Sequence, residues 1–409
     1  MSTLDCLIAG GGAAGCYAAI TAARRGRRVG IVEHNPKGEL GKKLRITGKG
    51  RCNVTNNCDR DTLLANTPRN GRFLYSAFSA CSPADVMEFF EALGVRLKTE
   101  RGNRVFPVSD SAGEIVSALR QECRRLGVQV IPGQVTDLLL EDGCCRGLLV
   151  DGAAYEAESV LLATGGMSYP VTGSTGDGYG IARRAGHTIV PPEPSLVPLV
   201  IREKQCRDMM GLSLRNVTLS LYDRKKCLFQ ELGEMLFTHF GVSGPLVLSA
   251  SCHIPQMEPD RYTLGIDLKP GLTPEQMDLR LQRDFQLFQN RTLFNALSKL
   301  LPKGMIPAAI QLSGMDGNIR VNQITKAQRL AFGAFLKAFP LTVQGFRPIS
   351  EAIITRGGVS VKEVSPKTME SKLLPGLFFA GELLDVDAYT GGFNLQIAFA
   401  TGYAAGCSM

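Results

Sequence analysis

The residues Gly10-Gly11-Gly12-Ala13-Ala14-Gly15 match the pattern G-x-G-x-x-G, and an acid, Glu33, follows 23 residues after Gly10. Each type at that spacing has a task around a pyrophosphate. Gly10 permits a tight turn, Gly12 lets backbone approach the phosphates, and Gly15 lets a helix close on a strand. The N-terminus of that helix offers unpaired N–H groups and a positive dipole end to the anion. Glu33 can accept hydrogen bonds from a ribose 2′-OH and would repel a 2′-phosphate. The elements that must hold these residues are legible on either side. Leu4 to Ala9 is an apolar run read as a buried strand, Cys16 to Arg25 is Ala-rich and helical, and Arg28 to Val32 is a second strand ending at Glu33. The motif alone is weak: it fits a dinucleotide, either FAD or NAD, or a merely tight strand-helix turn.

A second constellation lies downstream. Between Gly41 and Asn57 stand five cations (Lys42, Lys43, Arg45, Lys49, Arg51), no acid and no aromatic residue, with Gly48 and Gly50 among them. Nucleic-acid grooves combine cations with aromatic platforms, so this glycine-rich loop reads better as backbone N–H groups around a phosphate. A further strand, Ser159 to Ala163, ends in Thr164-Gly165-Gly166, and Thr172 to Gly180 opens a helix over Ile181 to Ala185. Near the C-terminus a strand over Leu377 to Ala380 runs into Gly381-Glu382, then Asp385, Gly391-Gly392-Phe393-Asn394 and a small-residue helix to Gly406. A ligand contacted from both ends of the chain is long, which points to FAD.

Composition sets the frame. A chain of 409 residues allows two or three domains. Hydrophobic residues at 44% and charged residues at 21% exclude disorder. No run approaches the roughly 18 apolar residues of a membrane helix, and Asp5 within the first apolar run favours a strand over a signal peptide. The expectation is a cytoplasmic protein that needs no membrane. Its 12 cysteines are then reduced. They form no CxxC pair, and with only four histidines no metal site is expected. The formal charge of +8 favours an anionic partner, read here as a phosphate-bearing cofactor and not nucleic acid.

These residues carry a resemblance that runs almost from end to end. Blocks such as GKKLRITGKGRCNVTN, ERGNRVFPVS, ATGGMSYPVTGSTGDGYGIA and GELLDVDAYTGGFNLQIAFATGYAAG resemble the bacterial BaiN/YhiN-like NAD(P)/FAD-dependent oxidoreductases, also labelled aminoacetone oxidase-type FAD-binding proteins. The resemblance implies an α/β fold: a Rossmann-like FAD-binding domain of the glutathione-reductase/fumarate-reductase kind. It also implies roles. Gly10, Gly12, Ala13, Ala14 and Gly15 would cradle the pyrophosphate, and Glu33 the adenosine ribose. Lys42, Arg45, Thr47, Gly48, Gly50, Arg51, Cys52 and Asn53 would line the phosphates and flavin. Val135 would meet the adenine through its backbone, and Thr164 and Gly165 would close over the adenosine. Gly381, Glu382, Asp385, Gly392, Asn394, Leu395 and Ile397 would hold the ribityl chain and the pyrimidine edge of the flavin.

Four prolines (Pro191, Pro192, Pro194, Pro198) mark a boundary. Beyond them Val217, Leu219 and Leu221 alternate, as do Tyr262, Leu264, Ile266 and Leu268, so antiparallel strands are expected. Thr273-Pro274-Glu275-Gln276 and Thr325 with Gln328 read as helix starts with capping boxes. The expected division is an FAD-binding domain over 1–190 and 346–409, an inserted β-rich substrate domain over 191–272 and 339–345, and a small helical subdomain over 273–338.

Several chemistries compete. The first is a reductase in which NAD(P)H reduces FAD and hydride passes to a C=C conjugated to a ketone; the resemblance implies a relative of this kind, a 3-dehydro-bile-acid Δ4,6-reductase. His239 and Tyr389 are its candidate proton donors. The second is an oxidase of a small amine such as aminoacetone, which would produce hydrogen peroxide. No second G-x-G-x-x-G is present for a nicotinamide, so NAD(P)H would dock transiently. A disulfide reductase using Cys52 and Cys58 is a third reading, although five residues separate them where such enzymes have four. A flavin-loaded RNA or protein binder is the non-enzymatic one. A small-molecule substrate is expected, with the oligomeric state unread.

Overall fold

The computed structural model describes residues 4–35 and 37–409. The chain divides into two compact units, Met1–Ser195 with Ala352–Met409, and Leu196–Glu351. Each has its own apolar core.

In the first unit, strand β1 (Leu4–Ala9), helix α1 (Ala13–Arg24) and strand β2 (Val29–Glu33) follow in order. The two strands pair in parallel, Ile8 opposite Ile31. Their near-continuous apolar sequence is what a strand covered on both faces requires. Gln129–Pro132 extends the sheet beside β2, and the long strand Ala153–Leu162 lies on the other side of β1. That long strand is shared along its length. Residues 160–162 pair in parallel with Leu377–Phe379, while residues 153–156 pair antiparallel with Cys144–Val150, which carries Val135–Glu141 beyond it.

The C-terminal helix, Phe393–Ser408, packs on α1 with backbone almost touching backbone. A Cβ at Gly402 would lie 2.4 Å from the Ala14 carbonyl oxygen, and one at Gly406 2.5 Å from that of Ala18. The constant offset between these pairs makes the helices parallel. Ala13 is therefore level with Thr401, eight residues beyond the start of the C-terminal helix. At 1.5 Å per residue, that helix begins about 12 Å ahead of α1 along a shared direction.

The domain boundaries fall later than the prolines suggest, at 195/196 and 351/352 instead of 190/191 and 345/346. The reason is an antiparallel pair, Ile189–Ser195 with Ile354–Val359, that keeps both segments in the first unit. Its register shifts between Val190 and Glu193, an irregularity that accommodates Pro191 and Pro192.

The second unit is a closed barrel. Its strands run in the order Leu199–Ile201, Gly241–Ser243, Lys226–Thr238, Ser213–Asp223, Tyr262–Asp267 and Phe339–Phe346. Helices Pro274–Leu287 and Lys326–Lys337 start on capping boxes. In the first, Thr273 Oγ1 accepts from the Gln276 N–H at 3.2 Å, and Gln276 Oε1 accepts from the Thr273 N–H at 2.9 Å. Met277, Leu281, Phe285, Phe332 and Leu336 share one core with Ile266, Phe339 and Leu341 of the barrel. The segment 273–338 is thus part of the barrel unit and not a separate body, because the apolar stripes of its helices are buried on the barrel itself.

Candidate cofactor site

Two helix N-termini define the site in the first unit. At the first, Gly10 has φ +101°, and a Cβ there would meet the Ala163 carbonyl oxygen at 2.6 Å. At Gly15 a Cβ would meet the Gly10 carbonyl oxygen at 2.0 Å, while at Gly12 it would meet nothing within 4 Å. The first and third glycines are thus demanded by packing, and the middle one keeps an approach open. Gly12 caps α1 without a side-chain hydrogen bond, so the N–H groups of the Ala13-Ala14-Gly15 turn carry no side-chain cap. Glu33 stands beside them: its Oε2 accepts from the Gly11 N–H and its Oε1 from Asn35 Nδ2, both at 2.9 Å. The Gly133 N–H donates to the Glu33 carbonyl at 3.1 Å, which brings the half-buried Val135 near the same edge. Thr164 follows directly on Ala163, and among the described residues its buried Oγ1 has no partner. Gly165, with φ +76°, turns the chain away.

The second N-terminus is that of the C-terminal helix. Gly392 caps it at φ +99° with no side-chain cap, and a Cβ there would sit 2.3 Å from the Thr55 carbonyl oxygen. Asn56 Nδ2 donates to the Gly391 carbonyl at 2.9 Å and to the Gly102 carbonyl at 3.0 Å. The hairpin tip at 101–104 is thereby tied to this cap. Asn394 is spent on the loop before it: Oδ1 accepts from the Ala388 N–H at 3.0 Å, and Nδ2 donates to the carbonyls of Ala388 and Tyr389. Gly381 lies between the two termini, where a Cβ would be 3.0 Å from that of Ala14. Leu395 is half-buried and Ile397 buried on the same helix. Asn53 Oδ1 is buried and, among the described residues, has no partner.

Other expected residues are engaged with protein groups. Glu382 accepts from Lys43 Nζ at 2.7 Å, from Ser168 Oγ at 3.1 Å and from the Thr355 N–H at 2.8 Å. Asp385 is bound by Arg69 at 2.5 Å and by Asn70. The Arg51 guanidinium turns to Glu100 and Asp110 and lies over the Phe106 ring. Thr47 Oγ1 donates to the Leu44 carbonyl at 2.7 Å, and Gly48 and Gly50 take positive φ around it. Lys42 and Arg45 are exposed. Lys43, absent from the expected set, is the lysine that turns inward, and its Nζ also lies 2.6 Å from Ser168 Oγ. Two adjacent lysines look alike in sequence; only the distant Glu382 and Ser168 distinguish them.

The thiols are poorly suited to redox exchange. Burial pushes Cys52 up to about 12 and Cys58 up to about 11, so neither supplies thiolate near neutrality. His239 and Tyr389 belong to different units. His239 is exposed, next to Phe240 and after Thr238. Tyr389 is half-buried, and its N–H donates to the Asn66 carbonyl at 3.0 Å.

These residues fit FAD. Two bare, glycine-led helix N-termini about 12 Å apart offer partial positive charge at two points to one long ligand, the approach at Gly12 is open, and among the described residues Asn53 and Thr164 hold buried polar atoms without a partner. No helix among the described residues is long and apolar enough to cross a membrane. Comparison with known proteins extends this picture. The chain is 33% identical over 402 residues to the 3-dehydro-bile acid delta(4,6)-reductase of Clostridium scindens, covering 98% of this chain and 97% of that one. It is 30% identical to the ribosomal RNA dihydrouridine synthase of Haemophilus influenzae, with 98% of each covered. The fold is like that of 3-ketosteroid delta1-dehydrogenase from Sterolibacterium denitrificans, with TM-score 0.53, 13% identity, and 100% and 99% of the chains covered. The model of the HI0933-like protein Rossmann domain matches residues 4–408, and the chain belongs to that family of oxidoreductases with a Rossmann-like FAD-binding fold.

Proposed function

We propose that the protein binds FAD and uses it, with NAD(P)H as electron donor, to reduce a C=C bond conjugated to a carbonyl. The observation that carries this reading is the pair of bare helix N-termini, Gly12 on α1 and Gly392 on the C-terminal helix. When bound, FAD supplies the hydride chemistry; the chain's residues orient it and bias its charge. The C-terminal helix would present its positive end to the pyrimidine edge of a bound flavin, where negative charge would grow on reduction. The names of both relatives denote the same saturation. A delta(4,6)-reductase acts on double bonds of a 3-oxo ring system, and a dihydrouridine is a uridine saturated next to a ring carbonyl. The leading substrate is a small 3-oxo-Δ4 ring compound, processed in the cytoplasm.

A second substrate, uracil within RNA, is favoured by one observation. Lys42, Arg45 and Lys49 on the phosphate loop, and Arg101 and Arg104 on the hairpin tied to Gly391, are exposed. Among the described residues none of the five has a carboxylate within ion-pair distance. Unmatched cations beside a reactive site suit a polyanion.

The test is a visible spectrum of the purified protein followed by titration with NADH and NADPH under nitrogen. A yellow protein bleached by either cofactor, then reoxidised by a 3-oxo-Δ4 steroid, supports the small-molecule form. Reoxidation by ribosomal RNA that weakens steeply with salt selects the RNA form. A colourless preparation that takes up no FAD sinks both, and peroxide formed with aminoacetone selects the amine oxidase.

A further inference from the structure

Saturating a C=C beside a carbonyl takes a hydride at one carbon and a proton at the other. One carboxyl in the first unit is placed to hold that proton. Asp387 is 2% exposed, on the loop that joins the Gly381 turn to the Gly392 cap. Its Oδ2 accepts from Ser195 Oγ at 2.7 Å. Its Oδ1 is buried and, among the described residues, has no hydrogen-bond partner. An ionised carboxylate accepts hydrogen bonds at both oxygens and so calls for donors at each, whereas a neutral acid carries an O–H on one of them.

The charged groups around Asp387 divide. Burial raises the carboxyl above its usual range, against the Ser195 hydrogen bond and the charges of Arg356 and Arg69, which favour the carboxylate; Asp385 adds to the rise. Both arginines already hold other acids, Arg69 on Asp385 and Arg356 on Glu193. The loop is fixed on either side of the residue. Asp387 bridges to the backbone of Arg69, and Asn394 clamps Ala388. Tyr389 and the Gly391-Gly392 cap follow at once, so Asp387 lies on the stretch that leads into the N-terminus of the C-terminal helix.

From this placement we infer that Asp387 is a neutral acid at physiological pH and the proton donor of the reduction, an inference that rests on the C=C reductase reading. The O–H bond at Oδ1 breaks and a C–H bond forms at the carbon next to the substrate carbonyl, while hydride completes the other carbon. Asp387 is left as a carboxylate held by Ser195 Oγ, and water returns its proton.

Infrared spectroscopy reads the protonation without turnover. The parent at pH 7 is expected to show the C=O stretch of a protonated carboxylic acid, which Asp387→Asn removes. Ser195→Ala, which deletes the bond to Oδ2, is expected to shift it. A parent without the band, or a band that neither variant moves, overturns the inference. In anaerobic stopped flow, reoxidation of the reduced protein by the enone is expected to be slower by about 100-fold in Asp387→Asn, the scale of a lost general acid. The parent's reoxidation rate is expected to fall as pH rises through the raised carboxyl, because the donor is then ionised. Equal reoxidation rates in parent and variant overturn the inference. If neither steroid nor RNA reoxidises the parent, the functional reading fails, and the infrared band alone decides whether Asp387 holds a proton.

Discussion

Lys43 joins three segments that the sequence keeps far apart. Its ammonium meets Glu382 at 2.7 Å and Ser168 at 2.6 Å, and Glu382 also accepts from the Thr355 N–H. The loop after β2, the turn after the long strand and the Gly381 turn are held together by this one cluster. Lys43 is about a quarter exposed, so its contribution is that of a charge-assisted pair damped by solvent. Lys43→Met is expected to leave the fold intact and to weaken FAD binding by about tenfold, equivalent to about 1.4 kcal/mol. Flavin fluorescence quenching on titration reads this directly. Lys42→Met, at the exposed neighbour, is the control and is expected to change affinity much less. Equal effects of the two substitutions would show that inward placement of Lys43 has no bearing on the cofactor. Local signals single out the glycines and Glu33 as candidates, because turn geometry and acid spacing are written within a few tens of residues. The choice between Lys42 and Lys43 was not legible, since it depends on partners about 125 and 339 residues away. The same limit hid the engagement of Arg51 with Glu100 and Asp110.

The crossing of α1 and the C-terminal helix sets the spacing of the two glycine-led N-termini, and glycine makes that crossing close. A Cβ at Gly402 would lie 2.4 Å from the Ala14 carbonyl oxygen and 3.1 Å from its Cα. Both opposing atoms are backbone, so relief requires moving a helix. Gly402→Ala is expected to cost about 1–3 kcal/mol, the range of overpacking in a filled core, and to lower FAD affinity by displacing the first turn of α1. Gly304→Ala is the matched control, since a Cβ there would meet nothing within 4 Å. Calorimetry and FAD titration on both variants test this; unchanged melting and affinity in Gly402→Ala would mean that the contact is not rigid. At this scale much was legible. Strands β1 and β2, both capping boxes and the small-residue C-terminal helix follow from periodicity and cap chemistry. Closure of the barrel was not, because Leu199–Ile201 and Phe339–Phe346 pair across nearly the whole second unit. The split use of Ala153–Leu162 by parallel and antiparallel neighbours is likewise a property of partners and not of the strand's own sequence.

The whole molecule is one unit inserted in another, and the topology makes the two separable. Residues 196–351 are contiguous, carry their own core and close their sheet into a barrel without free edges. Closure removes the edge that would otherwise seek a partner. In the remaining unit, the antiparallel pair places Ser195 opposite Ile354, at the roughly 5 Å Cα spacing of such strands. A Ser195–Ala352 junction of a few glycines therefore closes a short hairpin, and loop closure of that length costs little. All residues proposed to hold FAD lie outside the excised segment. The shortened chain is expected to fold, to turn yellow with FAD and to keep an affinity within about tenfold of the parent, that is, within about 1.4 kcal/mol. Because the second unit holds His239 and the remainder of the expected substrate domain, enone reduction is expected to be lost. The isolated 196–351 segment is expected to melt cooperatively without binding flavin. Absorbance, circular dichroism and NAD(P)H-linked turnover on the three proteins separate these outcomes. A shortened chain that folds yet stays colourless would place part of the cofactor site on the barrel unit, and one that still reduced the enone would remove that unit from the chemistry.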